Sequence, residues 1–281
     1  MRKLLLPTDF SGNSRNAISY ALQLYREQEC SFTLLHAYKV NEYEEDSMLT
    51  PIPSKPDLEK AKTESEKRLH QLVEELKQET DTRFHSFETV SLNNKLISAV
   101  KEQLPVLLPE LIVIGTHGNT GSDEIVYGSN TRALMEEISR CPILAVPAHI
   151  TREKVSEIVL ANSFKIELAP QDVQFLLQLS IKEKAPVRVL HIAEEGGLSQ
   201  KQKENKKRLK EKLRTVEHSF HKLEFLSVPL GIYSFTESRG SGMIAFINKK
   251  HSLLENLMLN PLYQNLAHYS KVPVLVLHQP E

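Results

Sequence analysis

The sequence is poor in the residue types on which several kinds of protein depend. It has no tryptophan, and its 281 residues include two cysteines, Cys30 and Cys141. Two cysteines are too few for a disulfide framework, and they lack the spacing of a metal site. Free thiols are ordinary in a reducing compartment. We therefore expect a cytoplasmic protein.

The chain also lacks an excess of charge and any long apolar run. The formal net charge is −1, which gives no electrostatic reason to expect binding to nucleic acid. Near the N-terminus, residues 4–6 are three leucines, a run too short for a signal peptide. No apolar stretch approaches the roughly 18 residues of a membrane span. The sequence thus predicts neither nucleic acid nor a membrane as a partner.

What the sequence does contain is an internal repeat. Three segments recur in the same order, at offsets of 154, 155 and 131 residues: 3–10 with 157–164, 34–46 with 189–197, and 139–147 with 270–278. One short apolar match arises easily by chance, whereas an ordered set of three does not. The repeat predicts two copies of one unit, 1–150 and 151–281, joined in a polar segment.

Strand-like and helix-like patterns alternate in both copies. The first copy predicts strands at 3–6, 31–37, 83–90, 110–114 and 142–147, and helices at 11–29, 56–79, 94–104 and 129–139. The second predicts strands at 156–161, 187–192, 223–228, 242–247 and 272–277, and helices at 170–183, 198–221, 230–239 and 261–270. Apolar strands that alternate with helices predict a parallel sheet covered on both faces.

A glycine-rich segment, GTHGNTGSDEIVYGSNT at 115–131, joins an apolar strand to a helix. A helix N-terminus offers free N–H groups and a positive dipole end to an anion, and Ser129 is a candidate N-cap. The spacing fits neither the Walker loop nor G-x-G-x-x-G, so neither a P-loop NTPase nor a dinucleotide enzyme is indicated. Taken alone, the segment fits a tight turn with capping glycines equally well.

The spacing G-x2-G-x9-G-[ST], formed by Gly115, Gly118, Gly128 and Ser129, resembles the ATP-binding signature of the universal stress protein family. LLLPTDFS, LLHAY, ELIVIGTHG and CPILAVP resemble strands one, two, four and five of that family. The resemblance is specific in the first copy and weak in the second. It implies an α/β protein of two tandem Rossmann-like, adenine-nucleotide α-hydrolase-like domains, each a five-stranded parallel sheet with helices on both faces. Such a chain resembles a family dimer joined on one polypeptide.

The same resemblance implies a stress-associated regulatory protein and a binding site for ATP or another adenine nucleotide. Asp9 would lie beside the adenosine, and the glycine-rich segment would surround the ribose and phosphates. The implied site consists of Pro7, Thr8, Asp9, Ala37, Gly115, His117, Gly118, Gly128, Ser129 and Asn130. Asp123 and Glu124 are candidates for approaching Mg²⁺, although adjacent loop acids are more often solvated.

Other interpretations of single residues stay open. Taken alone, Asp9 is better explained by an N-cap or an Asx-turn, and His36 and His191 are better explained by strand-end packing than by a catalytic role. His218 and His221, three residues apart on an expected helix end, lack a third metal ligand nearby. No catalytic or metal-ligating residue is predicted, so enzymatic activity reaches at most slow ATP hydrolysis.

The second copy departs from the family pattern. Aligning 270–277 with 139–146 places Phe246, Lys249 and Leu259 opposite the three glycines, with Asn260 opposite Ser129. Opposite Asp9 stands Ser163, or Asn162 if a gap is moved. Side chains at the glycine positions would fill the space that phosphates need, so we expect no nucleotide there.

We expect the second copy to be structural, with its last strand paired to that of the first copy, because an apolar edge strand needs a cover. The lysine-rich segment 201–214 is expected to be a solvated helix face. The alternative function is a nucleotide-independent interaction scaffold. An unidentified protein partner is expected in either case, and a homodimer is compatible with the sequence.

Replacing Gly118 or Gly128 with a large residue should abolish nucleotide binding without unfolding the protein, because the new side chain would occupy the space of the phosphates. Replacing Lys249 should leave nucleotide affinity unchanged. Equilibrium binding of ATP measures both. Nucleotide affinity that survives both glycine changes would contradict the assignment.

Overall fold

The computed structural model of the chain describes residues 1–40, 55–116, 128–148, 150, 154–193, 196–224, 226–248 and 272–278. The first half has the elements β1 Arg2–Pro7, α1 Gly12–Leu24, β2 Cys30–Tyr38, α2 Lys55–Glu79, β3 His85–Asn93, α3 Leu96–Leu107, β4 Leu111–Gly115, α4 Ser129–Glu137 and β5 Ile143–Val146. The second half has β6 Ile158–Ala161, α5 Pro170–Glu183, β7 Val187–Ile192, α6 Gln200–Lys212, β8 His218–Leu223, α7 Val228–Arg239, β9 Met243–Asn248 and β10 Val274–His278.

The strands of the described residues form one sheet in the order β3-β2-β1-β4-β5-β10-β9-β6-β7-β8. Within each half all strands are parallel. The halves meet where β5 pairs antiparallel with β10, with Leu144 opposite Leu275. The parallel pairing within each half and the pairing of the last strands agree with the sequence prediction. The junction covers an edge that each half would otherwise expose.

Two apolar cores lie on opposite faces of this sheet. Successive residues of a strand point to opposite faces, so Leu4 and Leu6 pack on one core while Leu5 packs on the other. The first core receives residues from α1 and α2, and the second receives residues from α3 and α4. Both cysteines are free and buried. The helices of the first half therefore lie on both faces, as the continuous apolar strands indicate.

Backbone details show the repeat more closely than the sequence does. In the first half the Thr8 N–H donates to the Leu35 carbonyl, and in the second the Asn162 N–H donates to the Leu190 carbonyl. A left-handed phenylalanine comes two residues later in both halves. Its φ is 62° at Phe10 and 56° at Phe164. Bulky residues rarely adopt this conformation, so its recurrence identifies the two turns as equivalent.

The largest error of the sequence prediction lies at residues 198–223. The lysine-rich helix was expected to reach residue 221, but α6 ends at Lys212, and His218–Leu223 is the edge strand β8 paired with β7. The expected strand at 223–228 is wrong for the same reason. Segments rich in long polar side chains show only a weak hydrophobic periodicity, so the end of the helix was not visible in the sequence. The alternation of residue types in HSFHKL is typical of a strand. The helix expected at 261–270 lies outside the described residues.

Side chains also connect the two halves beyond the strand pairing. The Lys182 ammonium donates to the Leu24 carbonyl and lies 5.0 Å from the centroid of the Tyr25 ring. On the other face, the Asn248 amide donates to the Met135 carbonyl at 2.7 Å. His278 has one ring nitrogen 3.0 Å from the Cys141 carbonyl oxygen. Contacts on both faces of the sheet therefore support the junction of β5 with β10.

A buried carboxylate holds the second half together at the amino ends of its strands. Glu157 is 7% exposed. It accepts hydrogen bonds from Arg239 at 2.6 Å, Arg188 at 2.9 Å and the Ser241 hydroxyl at 2.7 Å. The hydrogen bond from Arg239, aided by those from Arg188 and Ser241, outweighs burial and lowers the Glu157 pKa from 4.5 to about 2.

Glu157→Gln should lower the free energy of unfolding at pH 7 by about 2–4 kcal/mol, because two guanidinium groups lose their buried carboxylate. The lowered pKa means that this stabilisation is complete above about pH 4.5 and is lost as the pH falls toward 2. Urea unfolding at pH 7 and pH 3 measures the difference between wild type and variant, which should shrink by about half at pH 3.

The matched control is Glu217→Gln. Glu217 also bonds Arg188, at 3.1 Å, but its side chain is 73% exposed, so its loss should change stability by less than about 1 kcal/mol. A difference for Glu157→Gln that does not change with pH would contradict the role of its charge.

Candidate functional site

The turn between β1 and α1 places three predicted residues at the carboxyl end of the central strand. Pro7 is the last residue of β1. The buried Thr8 hydroxyl lies 3.1 Å from the Ser14 hydroxyl and accepts the Phe10 N–H at 3.0 Å. The hydroxyl of Thr8 is thus held by the protein itself. Its part in a site is to shape the turn that carries Asp9.

Asp9 is exposed and ionised. One carboxylate oxygen accepts the Ser11 N–H at 2.9 Å, which forms an Asx-turn, and Ser11 is the N-cap of α1. Partial desolvation of the carboxylate raises the Asp9 pKa, but hydrogen bonds from Ser11 and Ser14 lower it by more, so the net shift is downward. The Asx-turn is therefore present, and it presents a charged acceptor at the carboxyl end of the sheet.

The end of β2 supplies the neighbouring wall. His36 is half-buried, with Nδ1 2.8 Å from the Ser65 hydroxyl of α2 and its ring 4.5 Å from that of Phe10. Burial, aided by the Arg68 charge and opposed by Asp9, lowers the His36 pKa. Ala37 follows and packs partly against the core beneath α3. His36 is therefore a packed strand-end histidine, and Ala37 is the small residue beside it.

The end of β4 gives a packing reason for one glycine of the predicted site. A Cβ atom added at Gly115 would lie 2.8 Å from the backbone oxygen of Asn13. The missing side chain at this position is explained by the close contact of β4 with the start of α1. Packing therefore requires a glycine at 115 whether or not a ligand also does. The Gly115 carbonyl also accepts the Thr131 hydroxyl at 2.7 Å, which ties α4 to β4.

The start of α4 is open to solvent. Its N-cap is Gly128, not the predicted Ser129, and no side chain caps it. The Gly128 N–H donates to the Thr116 carbonyl at 2.6 Å. Ser129 and Asn130 are exposed in the first turn, where N–H groups have no intrahelical acceptor. The φ of Gly128 is −53°, which any residue can adopt, so a side chain there would not strain the backbone.

These pieces meet where the order of the strands reverses. β1 pairs with β2 on one side and with β4 on the other, and open α/β sheets bind ligands beyond the carboxyl ends of strands at such a point. Asp9, Ala37 and the start of α4 all lie at this edge of the sheet. His117 and Gly118 lie outside the described residues, as do Asp123 and Glu124.

A groove of about 450 Å³ opens beside the turn, between α1 and α2. Thr8 is the residue of the predicted nucleotide site that lines this groove. Its lining consists of Thr8, Phe10, Arg15, Arg68, Gln71, Leu72 and Glu75. Sequence reasoning missed Phe10 and Arg68, although the recurrence of Phe10 as Phe164 was a signal for the first.

Two other kinds of site find no support in the described part of the chain. It holds no group of three or more histidine, cysteine, aspartate or glutamate side chains that would bind a metal. His218 and His221 lie on a strand, where residues three apart point to opposite faces. Of the helices described, none is both long enough and apolar enough to cross a membrane.

The second half keeps the turn but changes the residues around it. Ser163 stands at the position of Asp9, and its hydroxyl accepts the Lys165 N–H at 3.4 Å. Ile192 stands at the position of Ala37 and packs over Gly231 of α7, where an added Cβ would lie 2.4 Å from its Cδ1 atom. The larger residue fills the space that Ala37 leaves.

The strand register corrects the alignment of Phe246 with Gly115. Gly115 pairs with Val146 of β5, and the equivalent pair in the second half is Ile247 with Leu277 of β10. The spacing between β4 and β5 differs by one residue from that between β9 and β10. An alignment based on the last strands therefore places the residues of β9 one position away from their true equivalents in β4. A buried Ile247 therefore occupies the Gly115 position. Lys249, Leu259 and Asn260 lie outside the described residues.

Comparisons with known proteins agree with this architecture. YxiE of Bacillus subtilis, a universal stress protein, is 26% identical over 146 residues, which are 51% of this chain and 97% of the relative. Universal stress protein MJ0577 of Methanocaldococcus jannaschii is 26% identical over 153 residues, 52% of this chain and 94% of the relative. Both relatives therefore correspond to about half of the chain.

A solved structure of a universal stress protein from Archaeoglobus fulgidus superposes on 99% of this chain and 98% of its own, with a TM-score of 0.71 and 15% identity. At that identity the likeness shows the fold alone. The model of the universal stress protein family matches residues 1–147. The chain belongs to the universal stress protein family.

Gly115→Ala should lower the free energy of unfolding by about 1–3 kcal/mol, because the new methyl group presses on the Asn13 backbone. Urea unfolding without nucleotide measures it. Gly12→Ala, where nothing lies within 4 Å of the added carbon, is the control and should be neutral or slightly stabilising. Unchanged stability of Gly115→Ala would contradict the packing role of this glycine.

Proposed function

We propose that the chain is a stress-associated regulatory protein that binds one ATP, or a related adenine nucleotide, in its first domain, residues 1–150. The observation that carries the proposal is the uncapped, exposed start of α4, which lies across the strand reversal from the ionised Asp9. Family membership supports a shared ligand class but does not name the ligand.

The start of α4 suits phosphate groups. N–H groups of the first helical turn carry partial positive charge and lack partners, so they bind phosphate oxygens directly. Ser129 adds a hydroxyl in the same turn. In this proposal Gly128, Ser129 and Asn130 hold the phosphates, together with His117 and Gly118.

The opposite end of the site suits a nucleoside. The exposed carboxylate of Asp9 accepts hydrogen bonds from ribose hydroxyls, and its lowered pKa keeps it charged at neutral pH. The small Ala37 leaves room for the adenine along the end of β2. Pro7 and Thr8 fix the turn between the two. No residue in this proposal has a catalytic role, and Mg²⁺ would arrive with the phosphates.

The second domain, residues 151–281, serves in this proposal as an intramolecular partner. Ser163 lacks the negative charge of Asp9, and Ile192 puts a branched side chain where the first domain has Ala37. Its paired strand β10 covers β5. The chain thus resembles a dimer in which one protomer has lost its ligand.

Isothermal titration of the full chain with ATP should give a stoichiometry of one. Asp9→Ala should weaken the affinity about tenfold or more, since it removes a charged acceptor. The control, Ser163→Ala, changes the equivalent position of the second domain and should leave affinity within about twofold. Two sites per chain, or equal effects of the two changes, would contradict the proposal.

A further inference from the structure

The backbone conformation of Phe10 helps to set the orientation of the neighbouring Asp9 side chain. Its φ of 62° is a left-handed conformation, and this turns the chain from β1 into α1. The same turn therefore sets where the Asp9 carboxylate points. A bulky residue stays in such a conformation only when contacts around it enforce it. For Phe10, the contacts from outside the turn are made by its ring.

Besides the apolar core, two polar side chains pack against the Phe10 ring. The Arg68 guanidinium carbon lies 4.1 Å from the ring centroid, a cation–π contact. The imidazole of His36 lies 4.5 Å away at an angle of 57°. Arg68 comes from α2 and His36 from β2, so both contacts tie the turn to elements distant in sequence.

The two contacts differ in how firmly they are held. His36 is bonded to the Ser65 hydroxyl at 2.8 Å, and Ser65 lies 2.7 Å from the Ser91 hydroxyl of β3. Arg68 is exposed, and it forms no ion pair with any other described residue. Its guanidinium lies over the ring of Phe10.

The second half contains the same cluster with additional support. The ring of Phe164 lies 5.1 Å from that of His191, and the Lys206 ammonium of α6 lies 5.8 Å from it. There, α6 also donates hydrogen bonds to the turn. Gln202 bonds the Ser163 carbonyl and Asn205 bonds the Phe164 carbonyl, each at 2.9 Å.

The first half lacks these additional bonds. Residues 8–11 accept no hydrogen bond from α2 within the described ranges. Arg68 contacts the turn itself through the Phe10 ring, while Arg15 of α1 pairs with Glu75 and Glu79 of α2 just after the turn. We infer that Arg68 is a positioning residue for the nucleotide site, which acts through the Phe10 ring to fix the Asp9 carboxylate for the ribose hydroxyls. The inference rests on the proposed function.

The test compares ATP with 2′,3′-dideoxy-ATP, which lacks both ribose hydroxyls. Arg68→Ala should weaken ATP binding about fivefold, because a carboxylate that is no longer fixed has to be ordered when ATP binds. It should change dideoxy-ATP binding less than about twofold. Arg68→Lys, which copies Lys206, should restore the affinity for ATP. Lys206→Ala is the matched control and should leave both affinities unchanged, because its turn carries Ser163.

A double variant shows whether Arg68 acts through Asp9. Asp9→Ala with Arg68→Ala should bind ATP no more weakly than Asp9→Ala alone, since residues that act as one unit are not additive. Circular dichroism checks the fold of each variant. If Arg68→Ala does not fold, Arg68→Met keeps the length of the side chain, removes the charge and carries the same test.

The outcomes separate the two proposals. A wild-type chain that binds no ATP overturns the proposed function and this inference with it. A wild-type chain that binds ATP, while Arg68→Ala weakens ATP and dideoxy-ATP equally or adds fully to Asp9→Ala, overturns the inference alone. A selective, non-additive loss that Arg68→Lys restores supports it.

Discussion

The pairing of β1 with β4 is the contact on which the candidate site depends. The chain crosses from β1 outward to β2 and β3, and then returns through α3 to the other side of β1. The turn after β1 and the segment after β4 are therefore neighbours at one edge of the sheet, although about one hundred residues separate them. An acid from the first and a helix start from the second meet because of this reversal.

The same reversal exists in the second half, so the fold alone does not decide which half binds a ligand. Both halves have the left-handed phenylalanine, the strand-end histidine and a cation over the ring. They differ in the residues around the cluster: Ala37 against Ile192, and Gly115 against Ile247. Gly231 of α7 has no side chain, and Ile192 packs directly against its backbone. This contact indicates that the interior at the end of β7 is filled and does not form a vacant site. The second half is bound to the first by β10, and this antiparallel junction gives the apolar edges a permanent cover.

The sequence predicts the sheet well because most strands and helices of each half are recognisable from their own short segments. Strand β7 and helix α5 were predicted with their observed bounds. Branched residues mark the strand, and a proline marks the start of the helix. The end of α6 and the strand β8 were missed, because lysines on every helix face obscure the period. That segment is a strand because it pairs with β7, which is distant from it in the sequence.

The site was predicted less completely than the fold. Spacing and resemblance identify Asp9, Gly128 and Ser129 as residues near one edge, and the structure brings them there. They do not distinguish a glycine needed for a ligand from one needed for packing, as Gly115 shows. Nor does a linear pattern reveal that Arg68, in the middle of α2, lies over Phe10. Such contacts depend on how helices pack, which no single segment encodes.

We propose that adenine nucleotide binds in one half of the chain and not in the other. Photolabelling of the intact protein with 8-azido-ATP, followed by peptide mapping, tests this most directly. We expect a label that unlabelled ATP displaces and that maps to peptides of residues 1–150. A displaceable label in residues 151–281, or in both halves equally, would contradict it.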